Sequence, residues 1–134
     1  MNFNKTTSYA LNVLSYMAKH HEEKISASRL CNELDIPYSY LRQILGKLSK
    51  KGFIKSAAGR SGGFLFSRNM DKIHLSEIVE AIEGLESLDR CVMGFSDCPF
   101  NNRCAMHPLW ERIRGEILDA LHSTTLADLT MTRR

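Results

Sequence analysis

Apolar residues recur at helical spacing from the start of the chain. In residues 5–20 they fall at Tyr9, Ala10, Val13, Leu14 and Met17, one face of a helix. The polar run HHEEK interrupts this pattern, and Ser26 stands as an N-cap ahead of a second helix over ASRLCNEL. Asp35, Ile36 and Pro37 predict a tight turn, with Pro37 placed to begin a third helix, YSYLRQILGKLSKK. The apolar face of that helix is Leu41, Ile44, Leu45 and Leu48, and Gly52 ends it. Two short β-type runs, 53–56 and 64–67, flank AAGRSGG and predict a hairpin whose glycines permit positive φ. A fourth helix follows over about 75–84. Gly94, Asp97, Pro99, Asn101 and Asn102 then fill a stretch with turn chemistry and no regular period. A long last helix over about 104–122 carries the stripe Trp110, Ile113, Ile117, Leu118 and Leu121, and TLADL adds a short helical turn. The expected fold class is mostly α with a small β-hairpin.

Helix, short turn, helix and hairpin is the order of a winged helix-turn-helix. In that arrangement Leu30 and Leu34 of the second helix brace Leu41, Ile44 and Leu45 of the third. The third helix then presents its polar face to the DNA major groove, with its N-terminal residues nearest the base edges. Those residues are Tyr38, Ser39, Tyr40, Arg42 and Gln43, with Ser28 beside them on the preceding helix. Arg and Gln suit bidentate contacts to guanine and adenine. Lys47, Lys50 and Lys51 suit phosphates. At the hairpin tip, Arg60, Ser61 and Gly62 follow Gly59, and an arginine on such a tip fits a narrow minor groove.

Charge sharpens this division. Residues 1–72 carry 12 Lys and Arg against 5 Asp and Glu, whereas residues 73–134 carry 6 against 10. The first part attracts a polyanion and the second does not. A length of 134 residues predicts one domain. Its 1–72 part is the winged helix-turn-helix, and 73–134 holds a cysteine loop (89–104) and a dimerisation helix (104–122). No phosphate loop, nucleophile elbow or carboxylate pair stands out, so the expectation is not an enzyme. The acidic residues of 77–89 read as a solvated helix face. No secretory signal or membrane-length apolar run is present in the sequence, which predicts a cytoplasmic protein with no membrane partner.

Three cysteines lie in RCVMGFSDCPFNNRCAMH: Cys91, Cys98 and Cys104, separated by six and then five residues. In a reducing compartment such clustering points to metal or redox chemistry rather than disulfides. Close Cys-x-x-Cys pairs of the usual zinc type are absent from this stretch. Wider loops with three thiolates suit an iron–sulfur cluster. His107 follows Cys104 by three residues and is a candidate fourth ligand. Asp97, Asp89, a partner residue or a small molecule are alternatives. Cys31, on the inner side of the second helix, is read as a buried apolar residue. The apolar stripe of the last helix exceeds the core of so small a chain, which predicts a homodimer. Two recognition helices then meet a near-palindromic operator in double-stranded DNA.

The chain resembles, throughout its length, the Rrf-two family of bacterial winged-helix regulators, the group of IscR, NsrR and RirA. The residues that carry the match are TTSYALNVLSYMA, ISASRLCNELDIPYSYLRQILGKL, AAGRSGGFLFSR and CVMGFSDCPFNNRCAMHPLW, including Tyr40, Leu41 and Gln43. The resemblance implies a dimer that crosses its long C-terminal helices. It also implies an iron–sulfur cluster (2Fe–2S or 4Fe–4S) on Cys91, Cys98 and Cys104 that controls operator binding by a repressor. His107 matches the histidine ligand of IscR-like members. Oxygen, nitric oxide or iron scarcity would be the signal. The sequence departs from the family in three places. The first cysteine gap is six residues rather than the five of IscR, Ser8 stands where NsrR-like members place an acidic ligand, and Ala58 stands where IscR-like wings carry arginine. The family also includes cluster-free regulators controlled through a protein partner. The rival expectation is therefore the same fold acting through thiol oxidation, zinc or a partner protein.

Overall fold

The computed structural model describes residues 3–59 and 62–131. The first helix, α1 (Lys5–Lys19), starts where the Asn4 side chain accepts the Thr7 N–H at 2.8 Å. Ser26 caps α2 (Ala27–Leu34) by accepting the Arg29 N–H. Asp35 then turns the chain with a left-handed φ of 53°, and α3 (Tyr38–Lys50) begins directly after Pro37. Strands β1 (Ile54–Ala57) and β2 (Gly63–Phe66) pair antiparallel, with Ile54 opposite Phe66 and Ala57 opposite Gly63. Both strands are shifted by one residue from the sequence expectation, toward the turn in β1 and β2 alike. A 3₁₀ turn (Met70–Lys72), α4 (Leu75–Ile82) and a second 3₁₀ turn (Leu85–Asp89) lead into the cysteine segment. The long helix α5 (Met106–Ser123) and the short α6 (Leu126–Leu129) complete the described chain.

One main core joins the two parts of the chain. Ala10, Val13, Leu14 and Ala18 of α1 are fully enclosed against Leu30 of α2, Leu41, Ile44, Leu45 and Leu48 of α3, and Ile54 of β1. Ile73, Ile78 and Leu126 of the later elements belong to the same core. The Leu75 N–H reaches the Thr124 carbonyl at 2.9 Å and the Leu126 N–H reaches the Ile73 carbonyl at 3.0 Å, so the chain's end is tied back beneath α4. A smaller core of Val79, Leu88 and Leu121 packs α4 against α5, with Ile117 and Leu118 at its edge.

Three sequence expectations change here. Cys31 is half-buried at the margin of the main core rather than enclosed within it. The stripe on α5 divides: Trp110 and Leu121 are buried within the chain, Ile117 and Leu118 are half-buried, and only Ile113 lies exposed, joined by Met106 and Leu109. α5 also begins at Met106, so Cys104 lies ahead of the helix rather than in its first turn.

A single-residue bridge just after the polar HHEEK run adds a further backbone contact to the wing. Ile25, buried, pairs with Phe64 through two backbone hydrogen bonds of 3.1 and 2.8 Å. Gly63 makes this pairing possible, because a β-carbon there would stand 2.7 Å from the Ile25 carbonyl oxygen. Gly63→Ala should therefore lower stability by about 1–3 kcal/mol, the usual cost of overpacking against a fixed neighbour. Thermal unfolding checks this, and an unchanged midpoint would contradict the close approach.

Candidate nucleic-acid interface and cysteine cavity

Ser39, Arg42, Gln43 and Lys47 stand exposed on α3, with Ser28 exposed near the start of α2. Tyr38 is 53% exposed, and its hydroxyl accepts from Arg42 at 3.3 Å while the guanidinium lies over its ring at 5.9 Å. This i, i+4 pair holds Arg42 on the outer face of α3 before any ligand arrives. Arg29 on α2 is committed elsewhere. It donates to Tyr16 at 2.9 Å and to Glu23 at 3.2 Å, and its hydrogen bond and charge hold the Glu23 carboxyl below its usual range.

Tyr40 turns the other way from its neighbours. Its hydroxyl shares a hydrogen bond with the Thr6 hydroxyl, and its ring meets Tyr9 edge-on with centroids 5.4 Å apart. It thus fastens α3 to the first turns of α1. Nothing in the sequence announces this contact, which joins residues 34 positions apart. At the wing, Gly62 is half-buried and its N–H bonds the Gly59 carbonyl at 2.9 Å; Arg60 and Ser61 lie outside the described residues.

The base of the wing is fixed to α4. Arg68 donates to Glu77 at 3.0 Å and to the Lys72 carbonyl at 3.2 Å, and lies over the Phe53 ring at 5.8 Å. Burial pushes the Glu77 carboxyl up, but the His74 backbone N–H at 2.9 Å and the Arg68 guanidinium outweigh it and hold it below the ordinary range. Two of the acidic residues after 77 also accept backbone hydrogen bonds at the surface. Glu80 accepts the Leu85 N–H at 2.8 Å and Glu83 accepts the Asn4 N–H at 3.1 Å.

Cys91, Cys98 and Cys104 are free, half-buried thiols, and all three line one small cavity with His107, Asn102, Met106 and Trp110. Trp110 anchors this region by donating its indole N–H to the Arg90 carbonyl at 2.8 Å. Backbone bonds from Gly94 to Cys91, from Asn101 to Cys98 and from His107 to Cys104 close a turn at each cysteine. Asn101 and Asn102 hold positive φ of 52° and 60°, and the Asn102 N–H points at the Cys98 sulfur at 3.2 Å. The Nε2 atom of His107 lies 3.1 Å from the Glu111 carboxylate, one helical turn on. Of the other candidate ligands, Asp89 pairs with Arg114 at 3.8 Å and Asp97 is exposed. Among the described residues, no group of three His, Cys, Asp or Glu side chains is gathered closely enough to hold a single metal ion. Three thiols and an imidazole border this one cavity, donor types that soft metal groups take.

Comparison with known proteins extends this picture. The profile of Rrf2, described as an iron-dependent transcriptional regulator, matches residues 3–132. The HTH-type transcriptional regulator IscR of Pectobacterium atrosepticum is 30% identical over 122 residues, 90% of this chain and 74% of its own length. CymR of B. subtilis, described as the global cysteine regulator, has a similar structure, with a TM-score of 0.76 and 27% identity over 97% of this chain and 96% of its own. The oxidised form of Staphylococcus aureus CymR gives the same score and identity over 100% and 99%.

The depressed Glu77 carboxyl makes the wing joint sensitive to acid. A carboxyl whose folded value is lowered contributes stability above its unfolded value and loses it as pH falls through the folded one. The difference in unfolding midpoint between the wild type and Arg68→Ala should therefore be largest near neutral pH and narrow on acidification. A difference independent of pH would remove the ion pair from the account.

Proposed function

Because the chain belongs to the Rrf2 family of iron-dependent transcriptional regulators, we propose that it is a homodimeric DNA-binding repressor governed by an iron–sulfur cluster. Cys91, Cys98 and Cys104 would hold the cluster, with His107 as the fourth ligand. The coarse part of this statement is the family's own: a winged-helix transcriptional regulator, not an enzyme. No helix among the described residues is long and apolar enough to cross a membrane. The observation that carries the finer part is the single cavity shared by three thiols and one imidazole at the start of α5. Bound there, a 2Fe–2S or 4Fe–4S cluster supplies a group that oxygen, nitric oxide or iron scarcity alters.

The chain's own residues supply the route to DNA. A cavity bordered by Cys91, Arg90 and Trp110 is bordered also by Asn4 and Glu83. Asn4 caps α1, and the next turns of that helix hold Tyr40 of the recognition helix through Thr6 and Tyr9. A change in the cysteine segment therefore bears on the helix that seats α3. Ser28, Tyr38, Ser39, Arg42, Gln43 and Lys47 form the proposed DNA face. Gly62, with Arg60 and Ser61 beside it, forms the wing's share, and Tyr40 contributes by positioning α3. The exposed Met106, Leu109 and Ile113 of α5, with Phe95 and Phe100 of the cysteine loop, form the apolar surface proposed for the dimer.

A second reading is supported by the likeness to CymR. In it, the same fold responds to thiol oxidation or a partner protein with no cluster.

Operator affinity, measured without oxygen before and after removal of iron, separates the readings. The wild type should change affinity by about 5–150-fold, the range of a coupling of 1–3 kcal/mol. Cys98→Ala should be colourless and insensitive. Regulation that persists in Cys98→Ala would contradict the cluster reading, and a reversible disulfide in the wild type would favour the second. Arg42→Ala should weaken operator binding by about 1–3 kcal/mol more than binding to random DNA. Equal loss on both would reassign Arg42 to phosphate contact.

A further inference from the structure

We propose that Arg68 is a positioning residue for DNA binding: through Glu77 it holds the wing against α4, and it makes no phosphate contact of its own. The inference rests on the reading of the chain as a winged-helix DNA binder and does not depend on what the cysteine cavity holds. Arg68 is one of the 12 Lys and Arg that give residues 1–72 their positive balance, so charge alone would count it among the phosphate contacts. The structure uses it otherwise. Its Nη2 atom donates to the Glu77 carboxylate at 3.0 Å and to the Lys72 carbonyl at 3.2 Å. The guanidinium also lies over the ring of Phe53, 5.8 Å from its centroid, and Phe53 is buried.

These contacts fall where the wing joins the body of the chain. Phe53 immediately precedes β1, and Arg68 follows β2 by two residues. The Ser67 N–H bonds the Phe53 carbonyl at 3.0 Å and closes the base of the hairpin. The Ile25–Phe64 bridge ties the hairpin to the segment between α1 and α2, and Arg68 ties it to α4. Glu77 is itself held in place, because its other oxygen accepts the His74 N–H at 2.9 Å at the start of α4. One carboxylate oxygen thus serves the helix and the other serves the wing. A negative charge 3.0 Å from the guanidinium also offsets the pull that Arg68 would exert on a phosphate farther away.

The test uses full-length protein purified without oxygen and a DNA duplex that the wild type selects from a random-sequence pool. Affinity is measured over a salt series, well below the unfolding midpoint of every variant. Arg68→Ala and Glu77→Gln should each weaken binding about 2–5-fold, the range open to an ion pair whose side chains are 40% and 38% exposed. Glutamine keeps one carbonyl oxygen for two donors, so it releases the wing while removing a negative charge. The double variant should bind no more weakly than the weaker single one, since both changes break the same contact. The slope of affinity against salt should stay that of the wild type. Hydroxyl-radical cleavage of the bound duplex should show protection lost only at the minor groove beneath the wing, a change that loss of folded protein would not produce. Tighter binding by Glu77→Gln, or a slope reduced by about one for each Arg68 removed, would make Arg68 a phosphate contact and overturn the positioning role. Variants that match wild type in affinity and footprint would overturn it as well, and either result leaves the DNA-binding reading intact. A wild type that selects no duplex would end that reading and this inference with it.

Discussion

The buried stripe of α1 sets the geometry on which the other parts depend. Ala10, Val13, Leu14 and Ala18 have no exposed surface, and α2, α3, α4 and α6 all rest on that helix. Each large aliphatic side chain so enclosed contributes roughly 1.5–3 kcal/mol, so the helix is held firmly along its length. Its N-terminal end carries the cross-contacts: the N-cap Asn4 N–H to Glu83, the Thr6 hydroxyl to the Tyr40 hydroxyl, and the Tyr9 ring edge-on to the Tyr40 ring of α3. Helix α1 therefore touches the segment before the cysteines at its N-cap and α3 within two turns. A shared element of this kind is one physical route by which a change at the cysteine segment would bias α3.

Much of this was legible in the chain. The apolar spacing of α1 and α3, the Ser26 cap and the glycine-flanked hairpin identified the winged helix-turn-helix, because local periodicity and capping agree with the final packing. The α2 range follows the ASRLCNEL segment residue for residue. The cysteine segment was also visible, since cysteines and turn residues mark themselves. Long-range polar contacts were not. Thr6 with Tyr40, Glu83 with Asn4 and Ile25 with Phe64 join residues far apart in sequence, and periodicity carries no information about such pairs. The His107–Glu111 pair stood within reach, as a histidine and a carboxylate one helical turn apart near a helix start.

The reading of α5 shows how a correct pattern misassigns its partner. An apolar stripe says that a face is covered, not what covers it. Trp110 and Leu121 turn out to complete the chain's own smaller core and the wall of the cysteine cavity. What α5 leaves exposed is narrower: Met106, Leu109 and Ile113.

The central claim is that the cysteine cavity holds a cluster and that its state sets DNA affinity. The most direct measurement is iron and acid-labile sulfide, with the visible spectrum, on protein purified without oxygen, paired with operator affinity on the same sample. The account predicts a coloured protein with matched iron and sulfide whose affinity changes when the colour is removed. A colourless protein that resists reconstitution, or one whose affinity ignores the loss of its colour, would contradict it.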